Sequence, residues 1–398
     1  MTVQQARRNI KLYYWFQLFK EPFFWGAILI TYINRVSGMT LSDIYFMESV
    51  CVIGIVILDA PFGALADLIG RRYTLLIGSI IMAVKILVFA SACNPLMIWL
   101  ANLCWVFAIS LISGADTSML ADTLKVLGRE NDFRHIEGRS QSYRLAGMAI
   151  GALLAGYMAQ WHLRLPVFAS FPFIVAAIPV TYMMVDPPMV AQKHKNWKEY
   201  VQLLKLSVLF VFNHRQVKWI ISFTVLISVA SKLWFFTYNP YFELVNLPLS
   251  QFGWMFCLLN IVAALSSHEA ARMHRYLGDL GSVAVMVVFL AVPIWFMGWQ
   301  VTKISILLIL MQNVVRGYVS PFLGGFLHQY LDSENRATVA SIKSTASSIA
   351  QSVFLALFGL ALMRWSLPFC LEILGLGTGL VGLLLIFSYS RVFRSSRN

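Results

Sequence analysis

Residues 59–72 read DAPFGALADLIGRR: two aspartates and two arginines, punctuated by Gly63 and Gly70. ESVCVIGIVIL (48–58) precedes this cluster and YTLLIGSIIMAVKILVFASA (73–92) follows it, both rich in hydrocarbon. A charge at the centre of a bilayer costs at least ~2.5–3.5 kcal/mol. Four charges between two apolar runs therefore mark a place where two membrane spans meet water and headgroups.

Working outward, the whole chain obeys the same pattern. Of 398 residues 59% are hydrophobic and 12% charged, against about 25% charged in soluble domains, and the mean hydropathy is +0.71. So much apolar surface requires a bilayer as solvent. The formal charge of +13 would fit nucleic acid only if the basic residues clustered on a soluble face. They fall in the gaps between apolar runs instead, which is a topology signal and excludes nucleic acid as a partner.

Five cysteines, Cys51, Cys93, Cys104, Cys257 and Cys370, stand singly in or beside apolar runs. Their spacing offers neither a disulfide framework nor a metal site, so small packing residues are the expectation. The basic-then-apolar N-terminus resembles a signal peptide, but Lys20 and Glu21 interrupt it and no small-residue cleavage site follows. It reads as a retained first helix.

Runs of about 20 mostly apolar residues, the length of a spanning helix, occur at 10–33, 42–65, 74–93, 96–119, 142–161 and 166–184, then at 217–240, 250–271, 281–299, 303–326, 337–361 and 367–389. The longest polar stretch, 186–218, divides them six and six. This gives a bundle over 1–186, a cytoplasmic linker over 187–216 and a bundle over 217–398. Within the linker region, NWKEYVQLLKLSVLFVF (196–212) has helical apolar spacing suited to a membrane surface. With both termini inside, 21 of the 31 lysines and arginines fall in cytoplasmic segments, 4 outside and 6 within the runs. The positive-inside rule fixes that orientation.

Six plus six helices, a linker and the cluster between the second and third helices together resemble the major facilitator superfamily. Gly63, Asp67, Gly70, Arg71 and Arg72 match its G-x-L-A-D-x-x-G-R-[RK] signature. The resemblance implies an all-α membrane protein with twelve transmembrane helices in two pseudo-symmetric six-helix bundles, working by alternating access. It implies a gate in which Asp67 meets the start of helix eleven, here near RATVASIK (336–343), whose dipole favours a negative charge. Arg71 is placed to pair with an acid at the end of helix four, and Asp122 fits; headgroup anchoring by Arg71 and Arg72 is the alternative. The matching loop of the second half, EAARMHRYLGD (269–279), puts Arg275 at the position of Asp67 once Gly278 is aligned with Gly70.

Charges also lie inside the runs: Glu21, Glu48, Asp59, Asp116, Glu269 and Glu372 against Lys20, Lys85, Arg144, Lys232, Arg316 and Lys343. Each requires a partner or a water-filled cavity. Glu48 and Asp59 are eleven residues apart, about three turns plus 20°, so they share one helix face. In the superfamily helices one, four, seven and ten line the cavity, which makes Lys20, Glu21, Lys232 and Arg316 candidates for substrate binding. Lys20 and Glu21 lie about 100° apart on a helix, so only one points squarely inward. Glu21 is the first candidate for proton coupling, with Glu48 and Asp59 behind it; a static Glu21–lysine pair is the alternative. Arg316 can grip a carboxylate or phosphate with two parallel bonds. Asp59, Asp116 and Arg144 read together as a gate network, and Lys85 as packing or snorkelling.

Two features depart from twelve-helix drug–proton antiporters, which carry an arginine four residues before a helix-four glycine and a proline in helix five. Here Ser110 precedes Gly114, and GMAIGALLAG (147–156) has no proline. Aromatic stretches such as YYWFQLFKEPFFWG (13–26) suit a planar or amphipathic substrate, as they suit membrane belts. No nucleotide loop, redox motif or nucleophile elbow occurs, so the reading is not an enzyme and needs no cofactor or metal. The sequence thus points to a monomeric, multi-pass transporter of the plasma (inner) membrane. Its expected work is proton-coupled efflux of a small organic, anionic or amphipathic compound such as a siderophore, metabolite or drug. The alternatives are a proton-coupled uptake permease, a lipid flippase, or a receptor that no longer cycles.

Overall fold

The computed structural model describes residues 1–188, 214–330 and 333–393. The regular elements of the described residues are helices: α1 (Val3–Phe19), α2 (Leu29–Ser37), α3 (Leu41–Ile69), α4 (Arg71–Ser91), α5 (Pro95–Ile112), α6 (Ala115–Val126), α7 (Phe133–Trp161) and α8 (Leu165–Met183). After the linker come α9 (Arg215–Leu244), α10 (Leu249–His268), α11 (Ala270–Trp299), α12 (Ile309–Tyr330), α13 (Ser333–Leu362) and α14 (Leu367–Phe393). The surface segment expected at 196–212 lies outside the described residues.

Ten spans among the described residues are long and apolar enough to cross a membrane. They are the second, third, fourth and sixth to twelfth runs. The other two differ for local reasons. The first run is not one helix: residues 20–28 leave helical geometry between α1 and α2. Pro22 supplies the cause, since it has no N–H to donate and its ring clashes with the preceding turn. The 100° argument for Lys20 and Glu21 therefore does not apply. The fifth run continues a longer helix, α7, whose first turns carry Arg139, Ser140, Gln141 and Arg144.

The chain forms two compact units. The first comprises Met1–Thr40, Val50–Lys193 and Pro248–Cys257; the second comprises Leu41–Ser49, His194–Leu247 and Leu258–Asn398. They differ from the two sequence halves by two short pieces, and specific contacts place these. Leu41–Ser49 is tied to the second unit by Tyr45 Oη donating to Leu233 O (2.6 Å), Ser42 Oγ donating to Gly359 O (2.7 Å) and Ser49 Oγ donating to Ser352 O (2.7 Å). In the first unit, a Cβ added at Gly156 or Gly253 would strike the backbone of the other segment, and Trp254 Nε1 donates to Tyr157 Oη at 2.8 Å.

Within the first unit α4 packs on α5 and α8, while α1 touches α6, α7 and α8. Its core gathers Phe16, Leu75, Ile112, Met119 and Val180. The second unit repeats the plan: α11 packs on α14 and α12, and α9 packs on α13 and α14. Trp219 anchors its core by stacking on Phe223 and meeting Tyr389 and Phe393 edge-on. The loops before α4 and inside α11 are equivalent as well. Gly70 has φ 94° and Gly278 φ 64°, a region that L side chains rarely adopt. Both sharp corners therefore depend on glycine, although the rest of the motif has diverged.

Candidate functional site

In the first unit the unwound segment 20–28 gathers the polar chemistry. Lys20 Nζ donates to Asp116 Oδ2 at 2.7 Å, and Gln17 Nε2 reaches the same oxygen at 3.0 Å. Asp116 is buried in the first turn of α6, where its other oxygen accepts from Thr117 N at 2.7 Å. A carboxylate is favoured there by the helix dipole as well as by the lysine. Glu21, the next residue, pairs with Arg144 of α7. Neighbours in sequence thus take partners on different helices, and both pairs are partly or fully withdrawn from solvent.

The segment approaches α7 closely because that helix presents glycines. A Cβ at Gly147 would strike the Phe23 ring and one at Gly151 the Phe23 carbonyl. Phe23 and Phe24 fill the space beside Phe173 of α8, with ring centroids 5.0 and 5.7 Å away. Lys85 of α4 does not snorkel. It is fully buried, with Nζ 3.6 Å from the Trp25 ring centroid and 4.6 Å from that of Phe89, and no hydrogen-bond partner among the described residues.

Asp59, Asp116 and Arg144 do not form one network. Asp116 belongs to Lys20 and Arg144 to Glu21, while Asp59 is exposed and has no cation within 4.0 Å among the described residues. The shared face expected for Glu48 and Asp59 does not give them a shared environment. Glu48 is buried in the second unit, where its carboxylate meets Lys232 Nζ at 2.7 Å.

At the opening motif, Arg71 pairs with Asp122, which also meets Lys125 at 3.2 Å, and Arg71 lies 3.9 Å from Asp67. Asp67 is half exposed, and a Cβ added at Gly63 would meet nothing within 4 Å. Of the helix-eleven start, the side chains of 336–338 lie outside the described residues. Arg72 is held in place: its guanidinium donates to Tyr182 O at 2.6 Å and lies 5.0 Å from that ring. Asp186 was not legible as part of this site. Its Oδ1 accepts from Arg72 N at 2.8 Å, and Oδ2 would be 2.7 Å from a Cβ on Gly70. It supplies the side-chain cap that Gly70 cannot give α4.

The second unit holds a network of amides around Arg316. Its two terminal nitrogens donate to Asn313 Oδ1 (3.2 Å) and to Asn260 Oδ1 (2.6 Å). Asn313 Nδ2 in turn donates to Tyr238 Oη at 3.2 Å, and Tyr238 Oη donates to Gln312. Gly317, beside the arginine, lets α12 press on α10: a Cβ there would collide with the Ala263 carbonyl. Arg316 is exposed within a candidate span and has no carboxylate within 4.0 Å among the described residues. Lys20 and Lys232, the other two cationic candidates, are each occupied by an acid. Asn260, Gln312 and Asn313 were missed because an amide inside an apolar run reads as neutral; their placement at polar positions within spans was the available signal.

A family model, the Major Facilitator Superfamily, matches residues 12–354. An uncharacterised MFS-type transporter of Methanocaldococcus jannaschii is 22% identical over 252 residues, 62% of this chain and 63% of that protein, so the match spans less than two thirds of this relative. Solved structures of similar fold include the nucleoside transporter NupG, with a TM-score of 0.76 and 14% identity over 99% of both chains. They include a D-xylose–proton symporter (TM-score 0.64, 14% identity, 96% of both chains) and an auto-inhibited POT-family peptide transporter (0.70, 12%, 98% of this chain and 97% of that one). Such identities speak for the fold alone, and the family match speaks for the lineage. With apolar spans, paired intramembrane charges and the motif of residues 63–72 in place, the chain belongs to the major facilitator superfamily and is a multi-pass membrane protein.

Proposed function

We propose that the protein exports a small organic anion, a carboxylate or phosphate compound, in exchange for protons. Arg316 carries this reading. It is an exposed guanidinium inside a span, oriented by two amide oxygens and without a protein carboxylate among the described residues. Two of its five N–H donors are used, which leaves donors for a bidentate grip on an anion. An arginine in such a position calls for water or an anionic ligand beside it.

Direction follows from the cargo's charge. Each elementary charge crossing the membrane is worth about 2.3 kcal/mol per 100 mV. An inside-negative potential favours anion exit and proton entry together, so the exchange draws on the potential twice. Glu21 is the proposed proton carrier: protonating it dissolves its pair with Arg144 and frees that arginine at the unwound segment. The Glu48–Lys232 pair is the second such unit. The lysine and arginine asymmetry supports cytoplasmic termini and linker in the plasma membrane, and we take the working unit to be a monomer.

The test is transport in everted vesicles against a panel of carboxylates and phosphates, with internal pH recorded. Substrate uptake into everted vesicles with proton release from them supports the reading. Uptake only in right-side-out vesicles, with co-entry of protons, would make the protein a nutrient permease. Indifference to every anion, with transport of neutral solutes, would remove Arg316 from the role given to it.

A further inference from the structure

The two units differ at one equivalent place. In the first, the first span of the half unwinds and wedges Phe23 and Phe24 between the fifth and sixth, against Gly147, Gly151 and Phe173. In the second, the corresponding spans are α9, α13 and α14. Here α9 runs as one helix from Arg215 to Leu244 and contributes no such wedge. What remains is a cleft of about 570 Å³ between the three helices, within the size range of ligand pockets, about 300–1,000 Å³.

The floor is formed by buried side chains, among them Ala230, Leu233, Phe358 and Thr378, and Gly377 lies at the exposed mouth. That glycine is set apart from its neighbours in α14. A Cβ at Gly375 or Gly382 would collide with α11, whereas one at Gly377 would meet nothing within 4 Å. The helix therefore uses two glycines to pack and a third to leave space. The rim is apolar and exposed, with Phe354, Leu357, Ile373 and Val381 facing outward. These helices are membrane spans, so an exposed apolar rim at their depth borders hydrocarbon.

An empty cleft of this size forfeits dispersion contacts along its whole lining. Water is a poor filler, because it needs two to four polar partners and the lining offers little beyond Ser222, Cys370 and Thr378. We propose that this cleft is a docking site for one acyl chain of a bilayer phospholipid, which takes the place that Phe23 and Phe24 take in the first unit. The headgroup remains at the membrane surface, so the site selects for chain and not for headgroup. Nothing in this proposal depends on which solute Arg316 binds.

The test is native mass spectrometry of the full chain released from nanodiscs of defined phospholipid, with Gly377→Phe as the filling variant. The open space at Gly377 makes that substitution tolerable. Wild type should retain one phospholipid per chain, and Gly377→Phe should lose it about tenfold, the effect of ~1.4 kcal/mol of contact. As a second readout on wild type alone, a phospholipid with a diazirine on its acyl chain should label the peptide 370–381 above all other lipid-facing segments. Uniform labelling, equal retention by Gly377→Phe, or a retained mass that belongs to a transported solute instead of a phospholipid would each overturn the assignment.

Discussion

Lys20 and Asp116 meet at 2.7 Å although 96 residues separate them in the chain. The lysine sits where the first span unwinds and the aspartate at the first turn of α6, so the pair closes a gap between two interrupted helices. Both side chains are largely buried, and the same carboxylate also holds Gln17.

Breaking a buried pair from one side costs about 3–5 kcal/mol, because the remaining charge is stranded. Lys20→Met is therefore expected to lower thermal stability in detergent markedly, and Lys20→Met/Asp116→Asn to recover most of the loss. Melting followed by fluorescence size-exclusion chromatography checks both. Equal melting of the single variant and wild type would show that the pair holds nothing.

Arg316→Lys keeps the charge but loses the planar fork that the two amides orient. Substrate KM should rise about tenfold or more, equivalent to ~1.4 kcal/mol, and Arg316→Gln should be worse. Asn260→Leu should give a smaller rise, through loss of orientation alone. Initial transport rates over a substrate series measure this; an unchanged KM in Arg316→Gln would rule out the grip.

Glu21→Gln mimics the protonated carboxyl and releases Arg144 permanently. Accumulation driven by a pH gradient should vanish, whereas substrate counterflow across equal pH should persist. If accumulation survives in Glu21→Gln but fails in Glu48→Gln, the proton travels through the Lys232 pair instead.

At the motif of residues 63–72, Asp67→Asn should slow transport while leaving membrane insertion near normal. Asp186→Ala removes the cap of α4 and should cost about 0.5–2 kcal/mol of stability, with transport reduced only as far as folded protein is lost. Surface labelling, melting and transport on the same preparations separate the two effects.

Cysteines introduced singly in the linker 187–216 should react with impermeant maleimide only in everted vesicles. Labelling of the linker in intact cells would invert the topology drawn from the lysine and arginine count.

The spans were legible because hydrocarbon enforces runs of about 20 apolar residues, and the corner at Gly70 because its motif is local in sequence. The ion pairs were not. Which partner meets Lys20 or Glu21 depends on how α6 and α7 pack against the first span, a matter of contacts 96 and 123 residues apart. Pro22 breaks the first span, but where the nine unwound residues lie depends on Phe23 docking against Gly147 and Gly151, which no single-residue preference encodes. The amides around Arg316 were hidden for a different reason. Asn260 of α10 accepts from Arg316 of α12 only once Gly317 has let the two helices meet.

The lysine held beside Trp25 and Phe89 bears on how the chain is made. Lys85 would be a poor passenger for a hydrophobic helix leaving the translocon, since the biological insertion scale penalises lysine by about 2.5–3.5 kcal/mol at mid-helix. Trp25 is synthesised earlier, on the first span, so an aromatic face already waits in the bilayer when the third span arrives. Swapping the order of these spans by circular permutation would send the lysine in first, without its host, and the nascent third span would then slip back toward the ribosome.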